Sequence, residues 1–449
     1  MKKHLIETAG LTAALAFSLV GCAGETDAQG ERVGADAAAG TQAEAATTAA
    51  AALDLSSQRL ADADISTQSS CEDSTDGGYA ITADGESTGY SNASVGKTGD
   101  SDGDEADFYG ENAAVFATNG ATLDLSDLIA TTDGTHANGV FSYGDGTTVN
   151  VSHSIIRTAG NCSGGLMTTG GGTMNATDVT AETQGNSSAA IRSDRGGGDV
   201  NVTGGYYTTA GTGSPAIYST ADISVQGAYL QSSASQGVVV EGKNSVALTD
   251  CQLIASNTTK NSDKSDYYQA VMIYQSMSGD ADSGTSSFSM DGGTLTNENG
   301  DVFFVNNTSC RIDLTDAAIT NDDASGVFLR AAAAGWGTQG SNGGNVTLNA
   351  SSQAIDGDML IDDVSALNLY LQDGSSFSGA VNPSGQEGDV YVELDANSTW
   401  TLTGDSYVTS LACVPGSIDL NGHALYVNGV AYDGESASAG EAIDMSASA

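Results

Sequence analysis

The sequence predicts an all-β protein, a right-handed parallel β-helix (solenoid) of about twelve coils. A short apolar segment recurs along the chain, with successive copies 23 to 33 residues apart and many of them near 25. A second run with alternating apolar residues follows most copies, as in Leu123-Asp124-Leu125. Period-2 alternation inside this repeat indicates about three short strands per turn, because a coil can bury its inward side chains only by stacking on its neighbours.

The last apolar residue of each copy is the predicted inward anchor of its coil. Gly, Asn and Asp separate the runs, as corners with positive φ require. Because side chains alternate along a strand, the residue after each anchor is expected to face solvent. The predicted anchors are Phe116, Phe141, Met167, Ile191, Ile217, Val240, Ile273, Phe304, Leu329, Ile361, Val392 and Leu420.

The beginning of the chain has the pattern of a processed leader, assigned to residues 1–21. Lys2 and Lys3 precede an apolar stretch over residues 10–20 that is too short to span a bilayer. The following Leu19-Val20-Gly21-Cys22 resembles the bacterial lipobox, which implies cleavage before Cys22 and acyl chains on that residue. Two or three chains hold a protein durably on a membrane. The predicted location is the extracellular face of the cell membrane; the alternative is an ordinary secretory signal with a chance cysteine.

Three segments follow the leader. Residues 22–74 are rich in Ala, Thr and acidic residues and poor in large apolar ones, which predicts a disordered tether. Residues 75–434 hold the repeats and form the predicted β-helix domain. Residues 435–449 are expected to be a flexible C-terminal tail.

The charge balance excludes one class of partner. Thirteen Lys and Arg face 57 Asp and Glu, and the formal net charge is −44. Nucleic acids and anionic membrane surfaces are bound through basic faces, so neither is a predicted partner of the domain.

Several segments carry a resemblance to known proteins. ADFYGENAAVFATNGA (106–121), AAIRSDRGGG (189–198), VVVEGKNSV (238–246) and WTLTGDSYVTSL (400–411) resemble adhesin-like β-helix surface proteins of gut bacteria. The resemblance covers nearly everything after residue 78 and implies a β-helix with a surface role. It brings no catalytic residue, ligand or cofactor with it. Pectate-lyase-like enzymes share the fold class, which is an analogy of fold alone.

Charged and aromatic residues gather at the outward positions of the central coils. Four of the nine Lys and Arg in residues 75–434 lie there: Arg192, Arg195, Lys243 and Arg330. Rings for stacking and charges for hydrogen bonding favour a platform for a saccharide or peptide. The alternative is a ladder of salt bridges that only stabilises an acidic rod. The predicted ligand-binding residues are Arg192, Asp194, Arg195, Tyr218, Glu241, Lys243, Tyr274 and Gln275.

A cofactor is suggested at one place, where carboxylates are spaced like the start of a calcium loop. Asp100, Asp102 and Asp104 alternate with other residues, and Glu111 falls at the twelfth position. However, the glycine comes two places early for such a loop. A solvated acidic loop is the alternative to calcium binding.

Two further features remain open. The middle residues of the apolar segments would form an exposed stripe if alternation were strict, or join the core if the strands bend. The longer coils carry loops over residues 257–266, 279–286, 335–344 and 384–388, which are expected to be polar and solvated. The middle residues are Val140, Leu166, Val239, Met272, Phe303, Phe328 and Leu360.

Three function classes follow. The first is a membrane-anchored adhesin or glycan-binding lipoprotein, whose partner is a polysaccharide, a surface glycan or a protein. The second is a polysaccharide-cleaving enzyme: a hydrolase using Asp194 and Glu241, or a lyase with Arg192 or Lys243 as base and calcium-bound substrate. The third is a structural spacer. A nucleophilic triad is not visible, and catalytic residues are not predicted.

Overall fold

The protein is a parallel β-helix, described here by a computed structural model for residues 53–260 and 262–445. Eleven parallel strands stack in register into one sheet, called the front sheet. Its strands are Ile81–Asp84, Val115–Thr118, Val140–Tyr143, Leu166–Thr169, Ile191–Ser193, Ile217–Ser219, Val238–Glu241, Gln269–Tyr274, Asp301–Asn306, Val327–Ala331 and Asp358–Ile361.

Two further rows of strands close each coil and belong to one 22-stranded sheet. The long strands Ser87–Lys97 and Thr122–Thr132 run through both rows. The second row continues with Thr148–Ser152, Gly172–Thr177, Gly198–Thr203, Asp222–Gln226, Ser245–Thr249, Thr285–Asp291, Thr308–Thr315, Gly344–Ser351, Ala366–Gln372, Asp389–Leu394 and Ser410–Cys413. The third row contains Ile155–Thr158, Thr180–Thr183, Tyr206–Thr209, Tyr229–Ser232, Gln252–Ala255, Thr294–Asn297 and Ala318–Asn321, and Ser69–Asp73 pairs at its edge.

The C-terminal coils carry two smaller sheets. One has four strands, Ala354–Asp356, Ser376–Ser378, Thr399–Thr401 and Ile418–Asp419. The other has three, Ser406–Val408, Leu425–Val427 and Val430–Ala431, and Ser438–Ala439 pairs antiparallel with Ser410–Cys413. Helix is confined, within the described residues, to the α-helix Asp104–Phe108 and the 3₁₀ turns Ser56–Gln58 and Asp62–Asp64. None of these helices has the length and hydropathy to cross a bilayer.

The corner between the second and third rows shows why the sequence folds this way. Residues with positive φ recur there from coil to coil, including Asn92 at 54°, Asp127 at 54°, Asp178 at 51° and Gly204 at 65°. Asn, Asp and Gly tolerate this conformation better than other residues. The predicted role of these residues at corners is confirmed.

The register within the front sheet corrects part of the predicted core. Ile191, Ile217 and Leu329 point inward as predicted and belong to the main hydrophobic core. Phe116, Phe141 and Met167 instead form a separate cluster on the outer side of the sheet, and Phe304 belongs to another. In these coils the inward residue is one place earlier: Val140 and Leu166 pair in register, and Leu166 pairs with Ile191.

The middle residues of the apolar segments divide between the two sides. Val140, Leu166, Phe303 and Phe328 lie in the main core, but only Phe328 shares it with the predicted anchor that follows, Leu329. Val239 and Met272 lie on the outer side, where alternation places them. An outer apolar stripe therefore exists, with a composition that the sequence pattern did not predict.

The predicted tether is wrong for its last twenty-two residues, 53–74, which lie on the rod. We call residues 53–65 the strap, because they cross five strands of the third row. Gln58 donates from Nε2 to the Gly227 carbonyl (2.8 Å) and accepts at Oε1 from the Gly205 N–H (2.5 Å). Arg59 pairs with Glu182 at 2.7 Å. The composition of this segment predicted too little apolar burial to offset the entropy cost of ordering its backbone. These polar contacts, together with the buried Ile65, offset that cost.

The other end of the chain is also tied down in part. Ser438–Ala439 forms a strand pair, and the Ile443 carbonyl accepts from Asn368 Nδ2 at 3.0 Å. The prediction of a flexible tail is therefore wrong for these residues. The leader, Cys22 and the first part of the tether lie outside the described residues.

Candidate functional site

A cleft of about 400 Å³ opens on the outer side of the front sheet. Its floor is built from side chains of four successive strands, among them Arg192, Tyr218, Val239 and Met272. These residues are aligned because the strands pair in register, Arg192 beside Tyr218 and Tyr218 beside Val239. The repeat thus converts one outward position per coil into a continuous floor.

The walls of the cleft come from segments that interrupt the repeat. The helix Asp104–Phe108 contributes Phe108, and the segment 257–268 contributes Tyr267 and Tyr268. Asp280 and Trp336 come from two further loops. Three of the four loops expected to be solvated therefore line the cleft. For two of these loops the signal in the sequence was the aromatic residues beside or within them, Tyr267, Tyr268 and Trp336.

A buried carboxylate contacts two tyrosines of the cleft. Glu241 is 1% exposed, and its Oε2 accepts from the hydroxyls of Tyr218 (2.5 Å) and Tyr274 (2.9 Å). Ser276 donates to its Oε1. Burial raises the pKa of Glu241, although the three hydroxyl donors oppose the shift. Burial, followed by the charge of Glu241, raises the pKa of both tyrosines well above the ordinary value, so they remain hydrogen-bond donors.

Arg192 and Asp194 form an internal pair at the cleft. The Nη2 and Nε atoms of Arg192 lie 2.8 and 3.2 Å from Asp194 Oδ2, and Nη1 donates to the Ser187 carbonyl. Asp194 is 3% exposed. Burial, opposed by Arg192 and reinforced by the carboxylate of Asp280, raises the pKa of Asp194 to about 6. The guanidinium is thus largely occupied by the protein itself.

Arg195 connects two walls of the cleft. Its Nε lies 2.8 Å from Asp280 Oδ1, and its Nη1 lies 3.2 Å from Asp104 Oδ2. The guanidinium carbon stacks 3.6 Å from the centre of the Phe108 ring. Arg195 therefore joins the helix Asp104–Phe108 to the loop that carries Asp280.

Five of the eight predicted ligand-binding residues line the cleft, and three do not. Arg192, Asp194, Arg195, Tyr218 and Tyr274 line it. Glu241 supports the tyrosines from below, and Gln275 is 4% exposed and donates to the Ala281 carbonyl and to Ser283 within its own loop. Lys243 pairs with Asp282 at an exposed site (2.8 Å). Glu241 lies on the outer side of its strand as predicted, since Val239 is also outside and Val240 is in the main core. The expected exposure of Glu241 and Gln275 is wrong, because the loop over residues 275–284 covers their end of the strand.

The alternative prediction, a ladder of salt bridges between coils, holds for three cations of this strip, whereas Arg192 pairs with Asp194 within its own coil. Arg192, Arg195, Lys243 and Arg330 are all paired, the last with Asp301 at 2.6 Å. The structure thus combines ion pairing with an open cleft. From the sequence alone, a salt-bridge ladder and a binding platform were alternatives.

The predicted calcium ligands do not converge. Asp100 accepts from the Thr135 N–H, Asp104 pairs with Arg195, and Glu111 accepts from Ser101. Asp102 accepts from the adjacent Gly103 N–H. Across the described residues, the one group of three metal-ligand types within 4.8 Å is Asp107, His136 and Cys162, and it contains none of these four.

His136 was not singled out by its spacing, and the structure gives it a structural role. Its Nε2 lies 2.7 Å from Asp107 Oδ1, and its Nδ1 lies 2.8 Å from the Ser101 carbonyl. Both ring nitrogens face acceptors, so the doubly protonated imidazolium satisfies the site. Burial lowers the pKa of His136, but Asp107 and the Ser101 carbonyl together outweigh burial and the net shift is upward. The pair holds one wall of the cleft, because Asp107 lines it.

Comparison with known proteins gives no family to which the fold or the cleft can be assigned. No protein-family model, curated protein or solved structure matches the chain.

Proposed function

We propose that the cleft binds a saccharide chain and that the protein is a glycan-binding lipoprotein of the cell surface. The aromatic lining of the cleft carries the proposal. Tyr274 and Trp336 meet edge to face, with ring centroids 5.2 Å apart, and Tyr218 extends the same floor. Saccharide rings present apolar faces for stacking and hydroxyls for hydrogen bonds, which matches a cleft of rings surrounded by polar groups.

Glycan binding can be tested with a glycan array and the purified protein. Trp336→Ala should weaken binding of the captured glycan by about 2 kcal/mol, as loss of an aromatic hot spot does. Tyr407→Ala is the matched control, because Tyr407 is a half-buried ring stacked on Tyr426 at 4.9 Å and lies outside the cleft. Equal binding by both variants and the wild type contradicts the proposal.

The surface location rests on the leader and on Cys22. Lys2, Lys3, the apolar stretch 10–20 and the lipobox-like Leu19–Cys22 support lipid attachment. Cys22→Ala should release the protein from membranes and abolish palmitate labelling. Unchanged labelling and fractionation of the variant contradict lipid attachment without affecting the glycan proposal.

Polysaccharide cleavage is a second candidate, favoured by one observation. Asp194 lines the cleft, and its pKa of about 6 suits a general acid. Against this role, both carboxylate oxygens of Asp194 already accept hydrogen bonds. Arg192 donates to its Oδ2, and the backbone N–H of Arg195 donates to its Oδ1 at 3.2 Å. A reducing-end assay on each bound glycan decides: product formed by the wild type and lost in Asp194→Asn supports cleavage.

A further inference from the structure

The tyrosine hydroxyls of the cleft floor already donate their protons in hydrogen bonds to the protein. An ionised Glu241 can only accept hydrogen bonds, so both tyrosine hydroxyls donate to its Oε2. The remaining lone pairs of Tyr218 and Tyr274 are acceptors. A ligand that rests against these hydroxyls must therefore supply N–H or O–H donors.

The cationic side chains that line the cleft already form ion pairs within the protein. Arg192 is held by Asp194, Arg195 by Asp280 and Asp104, and Lys260 by Asp266 at 2.7 Å. An anionic group entering the cleft would meet cations whose charge is already balanced by these carboxylates. The cleft is therefore poorly suited to a ligand carboxylate or sulfate.

The charge around the floor is negative. Four Asp residues line the cleft (104, 107, 194 and 280) against three cations (Arg192, Arg195 and Lys260). Glu241 adds a second net negative charge: within the described residues its carboxylate accepts from three hydroxyls, and no ion pair joins it to a cation. The formal charge of −44 on the chain attracts cations at long range.

We propose that the saccharide bound in the cleft is an oligomer of amino sugars with free ammonium groups. The rings of Tyr218 and Tyr274 suit a cation, the tyrosine oxygens accept from its N–H groups, and Glu241 supplies negative charge beside them. This inference rests on the proposed function and narrows its ligand class.

Lys264, near the cleft, would favour an acidic glycan, and such a ligand is the alternative that the experiment tests. No ion pair joins Lys264 to a carboxylate in the parts of the chain that the structure describes, and its ammonium lies 5.9 Å from the Trp336 ring centre. A glycan with carboxylates would use this lysine. Lys264 stands beside the wall and not on the lining, which favours the amino-sugar ligand.

The test compares three ligands of equal length by calorimetry: a glucosamine oligomer, its fully N-acetylated counterpart and a uronic acid oligomer. The first two share a backbone and differ in the ammonium group. The wild type should bind the glucosamine oligomer about tenfold more tightly than the acetylated one, the range of a cation held by aromatic rings. Added salt should weaken the first interaction more than the second.

Glu241→Gln then tests the source of the preference, because it keeps the size of the side chain and removes its charge. The preference for the glucosamine oligomer should fall to within about twofold, with binding of the acetylated oligomer retained. Lys264→Ala should leave the preference unchanged. The wild-type comparison does not depend on the variant folding.

Three results overturn the inference. Equal or tighter binding of the acetylated oligomer by the wild type overturns it and leaves glycan binding standing. Tightest binding of the uronic acid oligomer, lost in Lys264→Ala, replaces it with the acidic ligand. Failure of every array glycan to bind removes the proposed function, and this inference with it.

Discussion

The strap lies across the third row, whereas the front sheet carries an open cleft, and both regions present tyrosines from neighbouring coils. On the third row, Tyr206 and Tyr229 stack with ring centroids 4.7 Å apart, and the strap bonds to the backbone of Gly205 and Gly227 beside them. On the front sheet, Tyr218 and Tyr274 share Glu241 and face the cleft.

The difference between the two regions lies in what the chain supplies to each. The third row receives a segment from the same chain whose amide and guanidinium groups match its exposed polar groups. The front sheet receives loops that rise at its sides and leave the floor uncovered. The strap therefore covers strands of the third row, whereas the floor on the front sheet stays open to a ligand.

The largest effect should come from the core that both regions share. Ile217→Asp places a carboxylate at a fully buried position, and it should lower the free energy of unfolding by at least about 3 kcal/mol. Gln226→Asp, at an exposed position of the next strand, should cost under about 0.5 kcal/mol. Chemical denaturation measures both. Similar losses for the two variants would contradict the register.

Removing Gln58 should detach the strap without opening the cleft. Gln58→Ala leaves a carbonyl and an N–H without their partners and should cost about 1–2 kcal/mol. Hydrogen exchange should accelerate in residues 53–65, with glycan affinity unchanged. Gln226→Ala is the control. Loss of glycan binding in Gln58→Ala would mean that the two regions are coupled.

Arg195→Ala should loosen the cleft and spare the strap. It removes the link between Asp104 and Asp280 and the stack on Phe108, at a cost of about 0.5–1 kcal/mol. Hydrogen exchange should increase in residues 104–108 and 276–283. The exposed pair of Lys243 and Asp282 offers the control, since Lys243→Ala should change nothing measurable. Unaltered exchange in Arg195→Ala would show that the walls stand without it.

The smallest effect concerns pH. Because the pKa of His136 is raised in the folded protein, its pair with Asp107 contributes fully below the ordinary imidazole pKa of 6.5. That contribution is lost as pH rises through the raised pKa. Stability should fall by roughly half a kcal/mol from about pH 6 to about pH 9, and His136→Gln should flatten this part of the profile. A steeper wild-type loss that persists in the variant would assign the dependence to other groups.

Particular residues show how far sequence reasoning reached. Ile191 and Ile217 were placed correctly because their coils contain strict alternation around a single apolar anchor. Phe141 and Phe304 were placed wrongly because two adjacent apolar residues compete for the inward position, and the last of them was taken. Alternation has two possible phases, and a one-residue shift exchanges the two faces of a strand.

The candidate site was predicted only as a strip. Arg192, Asp194, Arg195, Tyr218 and Tyr274 share outward positions of successive coils, which the repeat made visible. Phe108 and Trp336 were missed because they reach the cleft from segments far away in sequence. Glu241 was expected at the surface because nothing in the sequence showed that a loop would cover it.

The sequence by itself determined the repeat, its three short strands per coil, the residues at its corners and the acidic charge, because each depends on local periodicity and composition. Only the tertiary structure decided which apolar residues point inward, where the strap lies and which loops wall the cleft. Those outcomes depend on contacts between distant segments, whose free energies no local pattern contains.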